Sequence, residues 1–275
     1  MEHSKLTQFR GSEATLPAPL FSFLQQLGDV QSSDQVWANF THLCKAFGLP
    51  SVTYIQRGCP LDNVEDTPDD TCGWHILSTG DAGLVAPLLS LPLLSPLLQG
   101  AGASLSLTPE LLHMRAPRAS DAEHELQSEI LAQLGMPIGL AIPVLSGDAQ
   151  DAAVMLIGFQ RSAAECNCIL ERFGCGLHLA AMASHARYNA LYKQEFIARV
   201  QLTEKQAELI ALVGTGLLDK QIAYQLGISF SAVRQRLAAV QHKTGARNRA
   251  HLSAIAMRIG LTPDPLMTTA GIAAE

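Results

Sequence analysis

Charged and aromatic residues are both scarce in this 275-residue chain, at 16% and 5%, while 48% of residues are hydrophobic. So little charge beside so much apolar content excludes global disorder. Collagen-like and low-complexity chains are excluded by composition, and coiled coils likewise. No long apolar run survives uninterrupted. Residues 82–98 come nearest, but Pro87, Pro92 and Pro96 break them, and they fall short of the roughly 20 residues a spanning helix needs. No membrane partner is expected, and the segment reads as buried and irregular, packed on the core or equally lining an apolar pocket. Met1–Arg10 is polar and lacks the apolar stretch of a secretory leader, so a cytoplasmic protein with reduced cysteines is expected. Catalytic signatures are missing too. There is no Gly-x-Ser-x-Gly elbow, phosphate-cradling glycine loop or His-Glu-x-x-His, and the reading is of a protein that is not an enzyme. Cys166, Cys168, Cys175 and His178 do not have the paired spacing of a zinc site. No metal and no cofactor is expected.

What is present is an asymmetry. Residues 1–196 hold 10 basic and 20 acidic side chains, whereas 197–275 hold 9 basic and 5 acidic. Between 220 and 258 there are seven Lys or Arg and no Asp or Glu. A basic block in an otherwise acidic chain is the footprint of a nucleic-acid-binding unit, or of an ordinary solvated face.

Length and pattern predict two domains, 1–194 and 195–275, with a linker near 194–202. Helical spacing covers 18–28 and 33–47, the latter capped by Ser33 or Asp34. Ser51–Gln56 is rich in β-formers and reads as a strand, and Trp74–Ser78 as a second. Ser120 with Glu123 predicts a capping box opening a helix to Leu134. Gly139–Leu145 and Ala153–Phe159 read as adjacent strands, followed by a helix from Ala163 to about Phe196. The predicted fold class is α+β, an N-terminal α/β/α sandwich followed by an all-α unit.

The all-α unit has four helical patterns. Thr203 caps Glu204–Val213, Asp219–Leu226 is short, Ser229 caps a helix to about Thr244, and Asn248 caps the last. Ala223, Gly227 and Val233 have the spacing of a helix-turn-helix. Ala lets the helices cross closely, Gly permits the turn, and Val packs one helix on the other. The second helix would present Arg234, Gln235, Arg236 and Gln241 to base edges, where Arg suits guanine and Gln adenine. Lys220, Lys243, Arg247 and Arg249 suit phosphates, and helix N-terminal amides near Ser229 and Ser231 would join them.

From Leu202 onward the chain resembles the C-terminal helix-turn-helix of LuxR-type, quorum-sensing transcription regulators. The matching residues include Leu202-Thr203, Lys205, Gly216, Ile222-Ala223, Leu226, Ile228-Ser229, Val233-Arg234, Lys243, Gly245 and Arg249-Ala250. Gln206, Gln221, Ala232 and Arg236 depart from the family pattern. The resemblance implies a dimer reading a pseudo-palindromic operator in double-stranded DNA. RNA polymerase or a related regulator would be further partners. Dimerisation would use the helix at 163–196 and the last helix, through Leu252, Ile255 and Ile259.

It also implies an N-terminal sensor for acyl-homoserine lactones, similar to the family at Phe47-Gly48 and in Gly135–Val144. The family's lactone contacts fall on Ala82, Ala86, Ser95-Pro96 and Ser104–Leu107, where the expected polar and aromatic groups are missing. Lost hydrogen bonds of this kind weaken a site built for amide and carbonyl groups. The expectation is a regulator independent of lactone, with Tyr54 and Trp74 as candidates to line a residual pocket, though core packing is the better reading of both. Two alternatives stand beside it. One is a regulator responding to a different apolar ligand or lactone. The other is an antagonist forming heterodimers with a related regulator, which would not need the basic face.

Overall fold

The computed structural model describes residues 17–57, 74–89, 105–107, 120–144, 153–159 and 162–262. Helix α1 (Ala18–Leu27) and α2 (Ser33–Ala46) precede strand β1 (Ser51–Arg57). Strand β2 (Trp74–Ser78), a single 3₁₀ turn (Ala82–Leu84) and α3 (Val85–Leu89) follow. Then come β3 (Leu105–Leu107), α4 (Asp121–Gln133), β4 (Ile138–Val144) and β5 (Ala153–Phe159). Helix α5 spans Ala163–Val200. Beyond it lie α6 (Glu204–Gly214), α7 (Asp219–Leu226), α8 (Phe230–Thr244) and α9 (Arg249–Arg258).

The strands form one antiparallel sheet in the order β2-β1-β5-β4-β3. Alternation along each strand feeds two cores. Val52, Tyr54, Ile142, Met155 and Ile157 face α1, α2 and α5. Ile55, Ala141, Val154 and Leu156 face the other way, onto Val85, Leu88, Ile130 and Leu131 of α3 and α4. The expected α/β/α sandwich is therefore the architecture of the N-terminal part. No helix among the described residues is long and apolar enough to cross a membrane.

Local chemistry explains most element ends. Ser120 and Ser162 both close capping boxes, with Glu123 and Glu165. The cap of α2 is Ser32, one residue earlier than expected, with its side chain accepting from Gln35 N–H. Ser33 has another task. Its N–H and hydroxyl both donate to the Glu195 carboxylate, at 2.7 and 2.6 Å, tying the start of α2 to α5. Helix α5 runs four residues beyond the expected end, through the 194/195 boundary. It stops where Gln201 turns left-handed at φ 47°. Cys44 is buried, which pushes its thiol pKa up, while Cys168 and Cys175 are exposed on α5.

Two glycines set the sheet's close packing. Gly139 pairs with Gly158 across β4 and β5. A Cβ on Gly139 would lie 2.2 Å from the Ile157 carbonyl oxygen, and one on Gly158 would lie 2.1 Å from Met136 Cβ. The chain entering β4 thus crosses β5 at a distance only glycine allows.

Candidate nucleic-acid interface

The C-terminal helices bury Leu209, Ile210, Val213, Ile222, Val233, Val240, Leu252, Ile255 and Ala256, each at most 2% exposed, in a core continuous with the α1, α2 and α5 side of the sandwich. Leu252, Ile255 and Ile259, expected to meet a second copy, are instead buried in this chain. The physical reason is that α9 packs lengthwise on α6, which takes up its apolar face.

Between α7 and α8 the turn forms as the spacing requires. Gly227 adopts φ 62°, ψ 34°, and Ile228 N–H donates back to the Ala223 carbonyl at 3.0 Å. Ser229 then caps α8 by accepting from Ala232 N–H at 3.2 Å. Val233 is fully buried beneath the crossing.

One face of α8 is consumed by Val233, Leu237, Val240 and Thr244. At about 100° per residue, Ser231, Gln235, Ala238 and His242 therefore lie along the opposite, outward line. Arg234 and Gln241 stand on one flank of that line, and Arg236 on the other. Arg234, Gln235 and Arg236 are exposed. None of the three side chains has a hydrogen-bond partner among the described residues. Lys220, Ser229, Ser231 and Arg247 are exposed as well, and Gln241 is half-buried. Ser229 and Ser231 also share a hydroxyl–hydroxyl bond of 3.0 Å.

Two residues assigned to phosphate also bond within this chain. Lys243 Nζ donates to the Gln201 carbonyl at 2.8 Å and to Gln206 Oε1 at 3.2 Å, clasping the end of α5 and the start of α6. Arg249 pairs with Asp219 at 2.5 Å and donates to the Leu217 carbonyl, joining α9 to the start of α7. Both therefore also hold the unit together. Sequence reasoning passed over Tyr224, which is 91% exposed beside Lys220, Gln221 and Gln225. Its signal was available, since it falls on the outward side of the short α7.

His251 links pH to this unit. Its Nδ1 accepts from Arg247 N–H at 3.2 Å, which requires a neutral ring. Burial first, and then the Arg247 charge, hold its pKa below the ordinary value. The unfolded chain takes up that proton first as pH falls. Stability is therefore expected to decline from about pH 6.5 downward, until the folded ring also titrates. Thermal melts of the full chain and of His251→Ala between pH 7.5 and 5 check this, the variant losing part of the acid sensitivity.

The N-terminal candidates do not converge. Tyr54 points to the α2/α5 side of the sheet, while Trp74 packs on the α3 side. They occupy opposite faces and cannot line one pocket. Strand alternation explains the error, because Tyr54 pairs with Leu77 whereas Trp74 pairs with Arg57 one step out of phase. Tyr54 instead meets His75, His185 and Tyr188 in a buried aromatic cluster, with ring centroids 5.7–6.2 Å away. Ser95-Pro96 and Ser104 lie outside the described residues, and of Ala82, Ala86 and Leu105–Leu107 only the backbone is described.

The model of the luxR family of bacterial regulatory proteins matches residues 200–256. Those residues are a LuxR-family regulatory domain. The transcriptional regulatory protein YdfI of Bacillus subtilis is 39% identical over 61 residues, 22% of this chain. The match spans 29% of YdfI's length. The crystal structure of Escherichia coli SdiA superposes with a TM-score of 0.55 at 12% identity, covering 89% of this chain and 98% of SdiA. SdiA in complex with octanoyl-rac-glycerol gives 0.52, also at 12% identity, covering 89% and 96%. At that identity the likeness establishes the two-part fold, in which a sandwich precedes the LuxR-type domain.

Proposed function

We propose that the protein is a dimeric, sequence-specific DNA-binding transcription regulator acting in the cytoplasm without acyl-homoserine lactone. The observation that carries it is the exposed trio Arg234, Gln235 and Arg236 on a helix whose other face is locked by Val233, Leu237 and Val240. A dimer would place two such helices in successive major grooves of a pseudo-palindrome. The outer face of α5, with Cys168, Cys175, Leu179 and Ile197 exposed, supports that helix as the contact between copies. RNA polymerase would be met from the DNA-bound state. An antagonist working only through heterodimers has no use for the exposed arginines, which favours the DNA-binding reading.

Independence from lactone has support in the packing. Between α2, α5 and the sheet, the void beside Trp37, Tyr54, Met155 and Tyr188 holds at most about one water molecule. On the opposite face Ile55, Val85, Leu88, Met136 and Leu156 are fully buried against one another. A second reading, a sensor for another apolar molecule, is favoured by the octanoyl-rac-glycerol bound to SdiA.

Selection of purified full-length protein against a genomic DNA library at fixed salt tests both, because affinity without salt has no meaning. A dimer that enriches a palindromic site without additive supports the proposal. Selection that appears only with acyl-homoserine lactone or octanoylglycerol overturns the independence claim.

A further inference from the structure

A line of buried polar side chains runs from the LuxR-type domain into the sandwich. Arg258, near the end of α9, donates through Nη2 to Gln56 Oε1 of β1 at 2.5 Å. Gln56 Nε2 donates to Asn189 Oδ1 of α5 at 3.1 Å. Asn189 Nδ2 lies 3.3 Å from His185 Nε2, and His185 Nδ1 shares a 2.9 Å bond with the Tyr54 hydroxyl. Arg258 is 7% exposed, Asn189 3%, Tyr54 2%, and Gln56 and His185 are fully buried.

Burying a guanidinium costs desolvation, and apolar residues of similar volume would hold two domains together as well. A buried charged group with directional bonds instead selects one arrangement among several, the register role such groups fill best. The geometry fits. Helix α9 is fixed to α6 by Leu252, Ile255 and Ala256, so whatever holds Arg258 holds the whole helix-turn-helix. The backbone link between the parts is the short turn Gln201–Thr203, where Lys243 Nζ holds the Gln201 carbonyl. Helix α8 remains outward in this arrangement, so the pose is compatible with reading DNA.

We propose that Arg258 and Gln56 are positioning residues that set where each recognition helix stands relative to its sandwich. In the dimer they thereby set the half-site spacing the protein accepts. The spacing claim rests on the dimeric reading above, while the pose claim does not.

The test uses the full chain, its Arg258→Leu/Gln56→Leu double variant, and Gln56→Glu, which offers Arg258 a carboxylate. Gln56→Leu alone serves if the double variant does not fold by thermal melt. Small-angle scattering without DNA reads the pose. Affinities for paired half-sites at varied spacing, and for one half-site, read the consequence. The parent is expected to prefer one spacing about tenfold or more, and the apolar variant to lose most of that preference. Its single half-site affinity stays unchanged and its scattering becomes more extended, while Gln56→Glu behaves as the parent. A merely structural role would lower the melting temperature and leave spacing preference and scattering alone, and that result overturns the proposal. If the parent shows no spacing preference, the dimeric reading fails. Scattering then decides the pose by itself: extension in the variant supports it, and an unchanged profile overturns it.

Discussion

Replacing Arg234 and Arg236 together by Ala is expected to remove selective DNA binding while leaving the fold in place. Both side chains are exposed and bond to nothing else among the described residues, so their loss orphans no buried group. The helix beneath them is held by Val233, Leu237 and Val240, which the substitutions do not touch. Each bidentate arginine–guanine contact contributes about 1–3 kcal/mol of discrimination, so two amount to roughly 30-fold up to some tens of thousandfold. The two arginines flank Gln235 on opposite sides, which gives them different work. An arginine that meets phosphate weakens all sequences alike and lowers the salt slope by about 1, whereas one that reads a base relaxes a single position. Titrations of selected and scrambled sites at several salt concentrations separate these outcomes. Unchanged affinity and selectivity in the double variant would remove α8 as the reading helix.

That helix was readable in the sequence because its constraints are local. The turn needs Gly227 where φ is positive, the cap needs Ser229, and the crossing needs Ala223 and Val233 at fixed offsets. Strands Ser51–Gln56 and Ala153–Phe159 were legible for a similar reason, since β-formers cluster there between turn residues. What spacing could not supply was tertiary. Lys243 and Arg249 also bond to a carbonyl and a carboxylate 42 and 30 residues away, which a basic run does not announce. Ser33 looks like a cap, and Glu195 claims it from 162 residues away. Tyr54 and Trp74 look like one aromatic wall until strand pairing puts them on opposite faces. The polar line through Arg258, Gln56, Asn189 and His185 has only faint local signals, namely two i,i+4 pairs on α5, His185 with Asn189 and Tyr188 with Tyr192.

The sandwich itself has a weak point that sequence shows only as a glycine in a strand. Gly158→Val is expected to destabilise it by about 3 kcal/mol or more, at the upper end for overpacking, because the added carbons meet main chain. A Cβ there falls 2.1 Å from Met136 Cβ and 2.7 Å from Met136 Cα. That backbone cannot step aside freely. Met136 N–H donates to the Leu131 carbonyl at 2.8 Å, and Gly135 just before it holds φ 76°. Strand β5 also lies between β1 and β4, so displacing it disturbs both cores. Both tryptophans, Trp37 and Trp74, sit in this part of the chain, and their fluorescence reports its unfolding alone. A loss of that size lowers the tryptophan-monitored melting temperature by about 6–12 °C for a domain of this length. An unaltered tryptophan transition would mean that β5 does not run against Met136 as described. If the sandwich also joins the two copies, the variant keeps affinity for one half-site and loses its preference for paired ones.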